Sequence, residues 1–366
     1  MPSRTAMPCL RRSRDDSASS RSCLNVALSR EVIFFIWIQK YSENSMPAAN
    51  VVIITPAPPG SRAGNRNTAV RWAHILRGLG CRVSILTEWA GERCDLFVAL
   101  HARKSHDALH EFAMRHPDRP SVLALTGTDI YRDIHIDKNA AASLDWATRL
   151  IVLQENALEE LTPMQRRKSH VIHQSVRTSL TPAPLRRKFR ICVLGHLREE
   201  KDPFRAAMAL HLLRDARVEL IQAGKPLSAR MARETARRMH NDPRYHWVGE
   251  LPHWKSMHLL SRSNAMVISS RIEGGAHVVS EAIAIGVPVI ASDIPGNRGL
   301  LGEDYPAYFP VEDHRCLARM LRLALDSPRF LEDLTVSIRR RRSLVDPLRE
   351  RRAWGSLLRE LGFRSA

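Results

Sequence analysis

The chain has 366 residues, 44% of them hydrophobic and 26% charged. This is globular composition, too apolar for a disordered chain and long enough for two domains of roughly 100–200 residues. With 56 Lys+Arg against 38 Asp+Glu, the formal charge is +18, which favours anionic partners and invites a nucleic-acid reading.

That excess is not gathered in one arm. Residues 1–45 hold seven basic and four acidic side chains, and residues 331–366 hold nine and five, whereas a nucleic-acid-binding tail would be lopsided. The one dense run, Arg339 to Arg342, lies in a helical pattern and reads as a solvated face. Six cysteines (Cys9, Cys23, Cys81, Cys94, Cys192, Cys316) show no C-x-x-C pair and no metal-like spacing with histidine. They read as reduced thiols of a cytosolic protein, with neither zinc nor another metal expected.

Residues 1–30 are rich in Ser and Arg without an apolar period. The run Val32 to Ile38 falls far short of the ~18–20 residues that cross a bilayer and makes a poor signal peptide. Met46 then opens MPAANVVIITPAPPG, the way a cytosolic α/β enzyme begins. The expectation is a start at Met46, with residues 1–45 a mis-called extension or else a disordered tail.

From Asn50 onward, short apolar runs alternate with amphipathic segments, the pattern of parallel sheets covered by helices. Strands are expected at Val51–Thr55, Val83–Thr87, Leu96–Leu100, Val122–Thr126, Leu150–Leu153 and Val171–His173, with a helix over Asn67–Leu79. Val176 to Lys188 carries two prolines and little periodicity, marking a linker. The rhythm restarts with strands at Arg190–Leu194, Val218–Gln222, His246–Val248, Ala265–Ser269 and Pro288–Ala291, and a helix from about Pro203. After Pro310 the chain is mostly helical. The organisation read is an extension over 1–45, a first Rossmann-like domain over 46–178, a linker over 179–188, a second such domain over 189–340 and a C-terminal helix in 341–366. Two such open sheets place a ligand in the cleft at the carboxyl ends of their strands.

The sharpest motif runs from Ser270 through Glu273, Gly274, Gly275, Ala276 and His277 to Glu281. A strand ends, two glycines make a close turn and a helix starts, so free N–H groups and the positive dipole end suit a diphosphate. Glu273 sits at the turn and Glu281, eight residues on, about two helical turns down the same side, so each can accept hydrogen bonds from vicinal hydroxyls. The bland alternative is a cap acid plus an exposed Glu. A companion loop, Gly195-His196-Leu197-Arg198-Glu199-Glu200-Lys201, supplies cations that can neutralise a leaving diphosphate. Taken alone, it is an ordinary solvated turn.

Three loops follow strands of the first half: Asn65-Arg66-Asn67 with Asn67 capping the helix, His101-Ala102-Arg103-Lys104, and Thr126-Gly127-Thr128-Asp129 running on to Arg132. Together they offer Arg66, His101, Arg103, Lys104 and Arg132 to one crevice mouth. Asn65, Asn67 and Thr128 are polar neighbours, and Asp129 is the acid to orient a cation or hydroxyl. Singly, each has a structural reading; Asp129 caps a turn, and His101 is a satisfied core histidine. As a group they describe an acceptor pocket that wants an anion.

The spaced Glu273 and Glu281, the Gly195…Lys201 loop and the GVPVIAS strand resemble the retaining family 4 glycosyltransferases. That resemblance implies a GT-B fold, two Rossmann-like doubly wound parallel-sheet domains facing a cleft, with a helical C-terminus. It implies that Glu273 touches the donor sugar, Glu281 the ribose and Lys201 the diphosphate. The family carries Arg directly after the loop glycine; here His196 stands there, leaving the second cation open between His196 and Arg198. The blocks GNRNTA, ALHARKS, LTGTDIYRDI, GHLREEKDP, EGGAHVVSEA and PGNRGLLGEDYPAYFP, in that order, are similar to a narrower group, the selenosugar synthases of bacterial selenoneine biosynthesis. This implies a UDP-sugar donor (UDP-N-acetylglucosamine or UDP-glucose), selenophosphate as acceptor and a 1-seleno-sugar product for later enzymes of that pathway. No metal or other cofactor, nucleic-acid partner or stable membrane insertion is implied. The rival readings are a family 4 transferase acting on a lipid or polysaccharide hydroxyl, a sugar-nucleotide sensor without catalysis, and a basic nucleic-acid-binding protein.

Overall fold

The computed structural model describes residues 48–363. The expectations for residues 1–45, for Met46 as the start, and for Cys9 and Cys23 lie outside the described residues.

The first sheet contains β1 (Asn50–Ile54), β2 (Arg82–Leu86), β3 (Leu96–Leu100), β4 (Ser121–Leu125), β5 (Arg149–Val152) and β6 (Ser169–Val171). Its spatial order is β2-β1-β3-β4-β5-β6, parallel throughout. Central strands of such a sheet are covered on both faces and therefore read as unbroken apolar runs. All five residues of LFVAL in β3 and of SVLAL in β4 are buried, while the edge strand β2 stays partly exposed. Its helices are α1 (Gly64–Gly78), α2 (His106–Arg115), α3 (Lys138–Trp146) and α4 (Pro163–Arg167).

The second sheet contains β7 (Phe189–Leu194), β8 (Val218–Ala223), β9 (Tyr245–Trp247), β10 (Ala265–Ile268), β11 (Val289–Ser292) and β12 (Tyr308–Phe309). It has the order β12-β11-β10-β7-β8-β9, again parallel. Its helices are α5 (Arg205–Leu212), α6 (Ala229–Asn241), α7 (His253–Ser261), α8 (His277–Ile285), α9 (Pro295–Leu301), α10 (His314–Asp326) and α11 (Pro328–Arg340). The strands stand within two residues of their expected positions. One was not foreseen: β12 is only two residues long, too short to show a period.

Helix α1 starts at Gly64, earlier than expected. Its N-cap is Ala63, which offers no side-chain hydrogen bond. Asn67 is therefore not the cap but sits inside the first turn, its own amide bonded to the Ala63 carbonyl at 3.2 Å.

The last helix, α12 (Pro347–Glu360), returns to the first domain. Its Trp354, Leu357 and Leu358 are buried in the same apolar cluster as Trp72 and Leu76 of α1. The indole rings of Trp72 and Trp354 meet edge to face, with centroids 5.0 Å apart. Glu350, buried beside them, accepts hydrogen bonds from Arg71 Nε, Trp72 Nε1 and both the amide and hydroxyl of Ser175. No helix of the described residues is long and apolar enough to cross a membrane.

Candidate active site

The carboxyl ends of both sheets open onto one cleft of about 560 Å³. From the second domain it is lined by His196, Arg198, Lys201, Glu250, His253, Glu273, Gly275, Ala276, His277 and Glu281. From the first it is lined by Asn65, Asn67, His101, Lys104 and Thr128. The two motif loops and the three first-domain loops thus converge.

The turn after β7 passes through Gly195 at φ 140°, and a Cβ on neighbouring Gly224 would stand 1.8 Å from the Gly195 carbonyl oxygen. Only glycine allows that approach, and it brings the basic loop against the end of β8. His196 is half-buried there. Its Nδ1 accepts the Lys225 amide at 3.4 Å, and its Nε2 faces Glu250 at 3.9 Å. Burial holds its pKa below the ordinary imidazole range, against the pull of Glu250, so at neutral pH it presents no positive charge. Arg198 lines the same wall, and its guanidinium makes no hydrogen bond or ion pair among the described residues. Lys201 ends the loop and pairs through Nζ with Glu273, whose Oε1 also accepts from Ser270 Oγ at 2.6 Å.

Gly274 and Gly275 are glycines for a reason other than turn geometry. A Cβ at Gly274 would lie 2.8 Å from the Gly127 amide of the first domain, and one at Gly275 would lie 2.6 Å from Leu153 Cβ. Their missing side chains let the two domains touch beneath the cleft, with Gly274 in the contact and not on the lining. Helix α8 then begins at His277 without a side-chain cap, so its first amides and positive dipole end face the cleft. Glu281, one turn further, accepts from His253 Nε2 at 2.7 Å and lies 3.7 Å from His277 Nε2. Burial, then nearby Arg71, pushes His277 down to about 4, leaving it neutral, with Nδ1 unpartnered among the described residues.

The first-domain residues divide. Asp129 is fully buried and does not line the cleft; Oδ1 accepts the Gly127 amide at 2.7 Å, and Oδ2 those of Ala102 at 3.0 Å and Thr126 at 3.3 Å. It holds the amides of Thr126 and Gly127, which line the cleft, without lining it itself, so its place is that of a positioning group and not of the reacting group expected of it. Beside it His101 adopts φ 80°, a strained value for a side chain with a Cβ. Its ring lies between Asp129 and Asp133 at 3.9 and 3.8 Å, with its pKa lowered by burial. Arg103 and Arg132 are taken up by Asp133 at 3.5 and 3.1 Å, and Arg132 also reaches Glu200 of the other domain at 3.6 Å. Neither is on the lining. Arg66 does not line the cleft, and its Nη1 is buried with no hydrogen-bond partner among the described residues. Lys104 does line the cleft, without a hydrogen bond or ion pair among the described residues.

Glu250, His253, Arg62 and Asp133 were missed. The first two belong to the strand–turn–helix passage GELPH after β9, a third crevice loop that carries the same signal as the other two. Arg62 meets Glu250 across the cleft at 3.7 Å. Among the described residues no group of three His, Cys, Asp or Glu side chains is placed to hold a metal ion.

Two parallel-sheet domains around such a cleft form the GT-B architecture, and residues 182–341 match the family described as Glycosyl transferases group 1. Both motif loops, Gly195–Lys201 and Glu273–Glu281, fall inside the matched residues. The chain is 27% identical to the glycosyltransferase 1 domain-containing protein 1 of Xenopus tropicalis, over 48% of this chain and 57% of that protein. It therefore spans little more than half the length of that curated relative. Among solved structures, it resembles HepE of Anabaena in complex with UDP and glucose (14% identity, TM-score 0.67, covering 85% of this chain and 100% of HepE). It also resembles a sucrose-phosphate synthase of Thermosynechococcus elongatus (17% identity, TM-score 0.70, covering 86% and 99%). At such identities these likenesses show the fold.

Proposed function

We propose that the protein transfers a hexose, N-acetylglucosamine or glucose, from a UDP-sugar to selenophosphate, giving a 1-seleno-sugar. The observation that carries this reading is the charge pairing of the cleft. Its three carboxylates are each engaged by a basic group: Glu250 by Arg62, Glu273 by Lys201 and Glu281 by His253. Lys104 and Arg198, from opposite domains, make no ion pair among the described residues. The uncapped N-termini of α1 and α8 add positive dipole ends from the same two sides. A cleft built this way suits two anions at once.

In this reading the second domain holds the donor, with Glu281 on the ribose and Glu273 on the hexose. The α8 amides, Lys201 and Arg198 hold the diphosphate. His196, neutral and bonded to the Lys225 amide, is the lesser candidate for the second cation. Asn65, Lys104, Thr128 and the α1 N-terminus hold the acceptor. The C1–O bond to the diphosphate breaks with its electron pair leaving on UDP, and a C1–Se bond forms; the phosphoryl group on selenium is then lost to water. Selenophosphate is already a strong nucleophile, so the site must align and neutralise two anions, with no demand for a strong general base. That fits a site whose Asp129 is wholly engaged by backbone amides.

Calorimetric titration of selenophosphate into UDP-saturated protein tests the two-anion site. One equivalent is expected to bind, about tenfold more weakly in Lys104→Ala, while UDP affinity is unchanged. Mutual exclusion of UDP and selenophosphate would overturn the reading.

A further inference from the structure

Glu281 carries a neighbour that the transfer chemistry does not use. His253 opens α7, with its side chain 65% exposed at the cleft wall, and its Nε2 lies 2.7 Å from Glu281 Oε1. The Glu281 carboxylate is 9% exposed, and Oε2 has no partner among the described residues. We propose that His253 is a positioning residue of the donor site: by occupying Oε1 it fixes the plane of the Glu281 carboxylate and leaves Oε2 for the vicinal hydroxyls of the bound ribose. The proposal rests on the reading of Glu281 as the ribose ligand.

Two features favour His253 over its neighbour His277 for this work. His277 lies on the same helix as Glu281, and at 3.7 Å its Nε2 is beyond hydrogen-bond distance. His277 is also held neutral, whereas the Glu281 hydrogen bond holds His253 above the ordinary imidazole range. The other charged groups around these three side chains are Arg71 of α1 and Glu350 of α12, which pair with each other at 3.2 Å, and Glu250, which faces Arg62. A carboxylate with one oxygen held by a charge-assisted bond cannot rotate to a conformation that splits the diol between both oxygens. The exposed imidazole carries no core packing, so its removal leaves the fold intact.

The sign of the pH dependence follows from the raised pKa. The His253–Glu281 ion pair is complete while the imidazole is protonated, and weakens to a neutral hydrogen bond as pH rises through its pKa. Donor affinity that depends on this pair therefore falls over the same interval. His277, already neutral, contributes no step there.

The test is calorimetric titration with UDP-N-acetylglucosamine, between pH 6 and pH 8, on the wild type, His253→Ala, His253→Gln and Glu281→Ala. His253→Ala is expected to raise Kd about tenfold with an unchanged Tm, from the loss of one hydrogen bond to a charged group. Gln carries an amide nitrogen near the former Nε2, so His253→Gln is expected to recover most of that loss and to abolish the weakening that the wild type shows as pH rises. Wild-type Kd in His253→Ala, with a raised Kd in Glu281→Ala, would overturn the positioning role alone. A Kd unmoved by Glu281→Ala would overturn the ribose assignment and this inference with it. A loss that His253→Gln does not relieve, accompanied by a lowered Tm, would show a structural role and also overturn the proposal.

Discussion

Lys201→Ala is expected to lower kcat for sugar transfer by about 10²–10³-fold, the loss seen when one preorganised donor to a developing oxyanion is removed. The Lys201 ammonium pairs with Glu273, which Ser270 also holds. The pair sits where the strand-end loops of β7 and β10 meet, so the fold itself places the cation. Charge on the β-phosphate grows as the C1–O bond breaks, and only a group that answers this growth raises kcat. Removing Lys201 does more than delete a cation, because it leaves the Glu273 carboxylate unneutralised beside the departing diphosphate. Arg198 remains and sustains ground-state binding, so the donor KM should change by no more than a few-fold. Steady-state kinetics with varied UDP-sugar separate the two constants. A kcat within about fivefold of wild type would remove Lys201 from the leaving-group site.

The second large effect concerns stability. Glu350→Ala is expected to cost about 3–5 kcal/mol, the scale for removing one partner of a buried charged network. Glu350 lies on α12, the helix that closes the first domain after the chain has completed the second. Its carboxylate is 1% exposed and accepts from Arg71 Nε at 3.2 Å, Trp72 Nε1 at 2.8 Å and the Ser175 amide at 3.0 Å. Without it a buried guanidinium, an indole N–H and a backbone N–H lose their acceptor together. Glu350→Gln keeps the shape but loses the charge, and should cost less than half as much. Urea-induced unfolding followed by tryptophan fluorescence reads both variants directly, since Trp72 and Trp354 lie in the affected cluster. A cost under about 1 kcal/mol for Glu350→Ala would show that α12 docks by apolar contact alone.

The comparison of sequence and structure separates what is written locally from what is assembled. Strands such as β3 and β4 were legible because burial on both faces turns them into continuous apolar runs. Glu273 and Glu281 were legible because a short glycine turn and the first turn of the helix after it set their relation. The role of Asp129 was not: its three amide donors come from positions 102, 126 and 127, and only the folded loops bring them to one carboxylate. The Gly274-Gly275 pair signalled a turn, while the folded chain uses it as a gap filled by Gly127 and Leu153, more than 120 positions away. The return of α12 to the first domain leaves an amphipathic pattern in the sequence but no mark of which sheet it covers. His253 escaped notice for the same reason, since its partner is 28 residues away and on another helix.

One measurement bears on the central claim most directly. Purified protein is incubated with UDP-N-acetylglucosamine or UDP-glucose, with and without selenophosphate, and the products are read by mass spectrometry. The account predicts release of UDP and a selenium-bearing hexose, recognisable by the selenium isotope pattern, only when selenophosphate is present. Transfer to a hydroxyl acceptor with selenophosphate ignored, or UDP release unchanged by its addition, would contradict it.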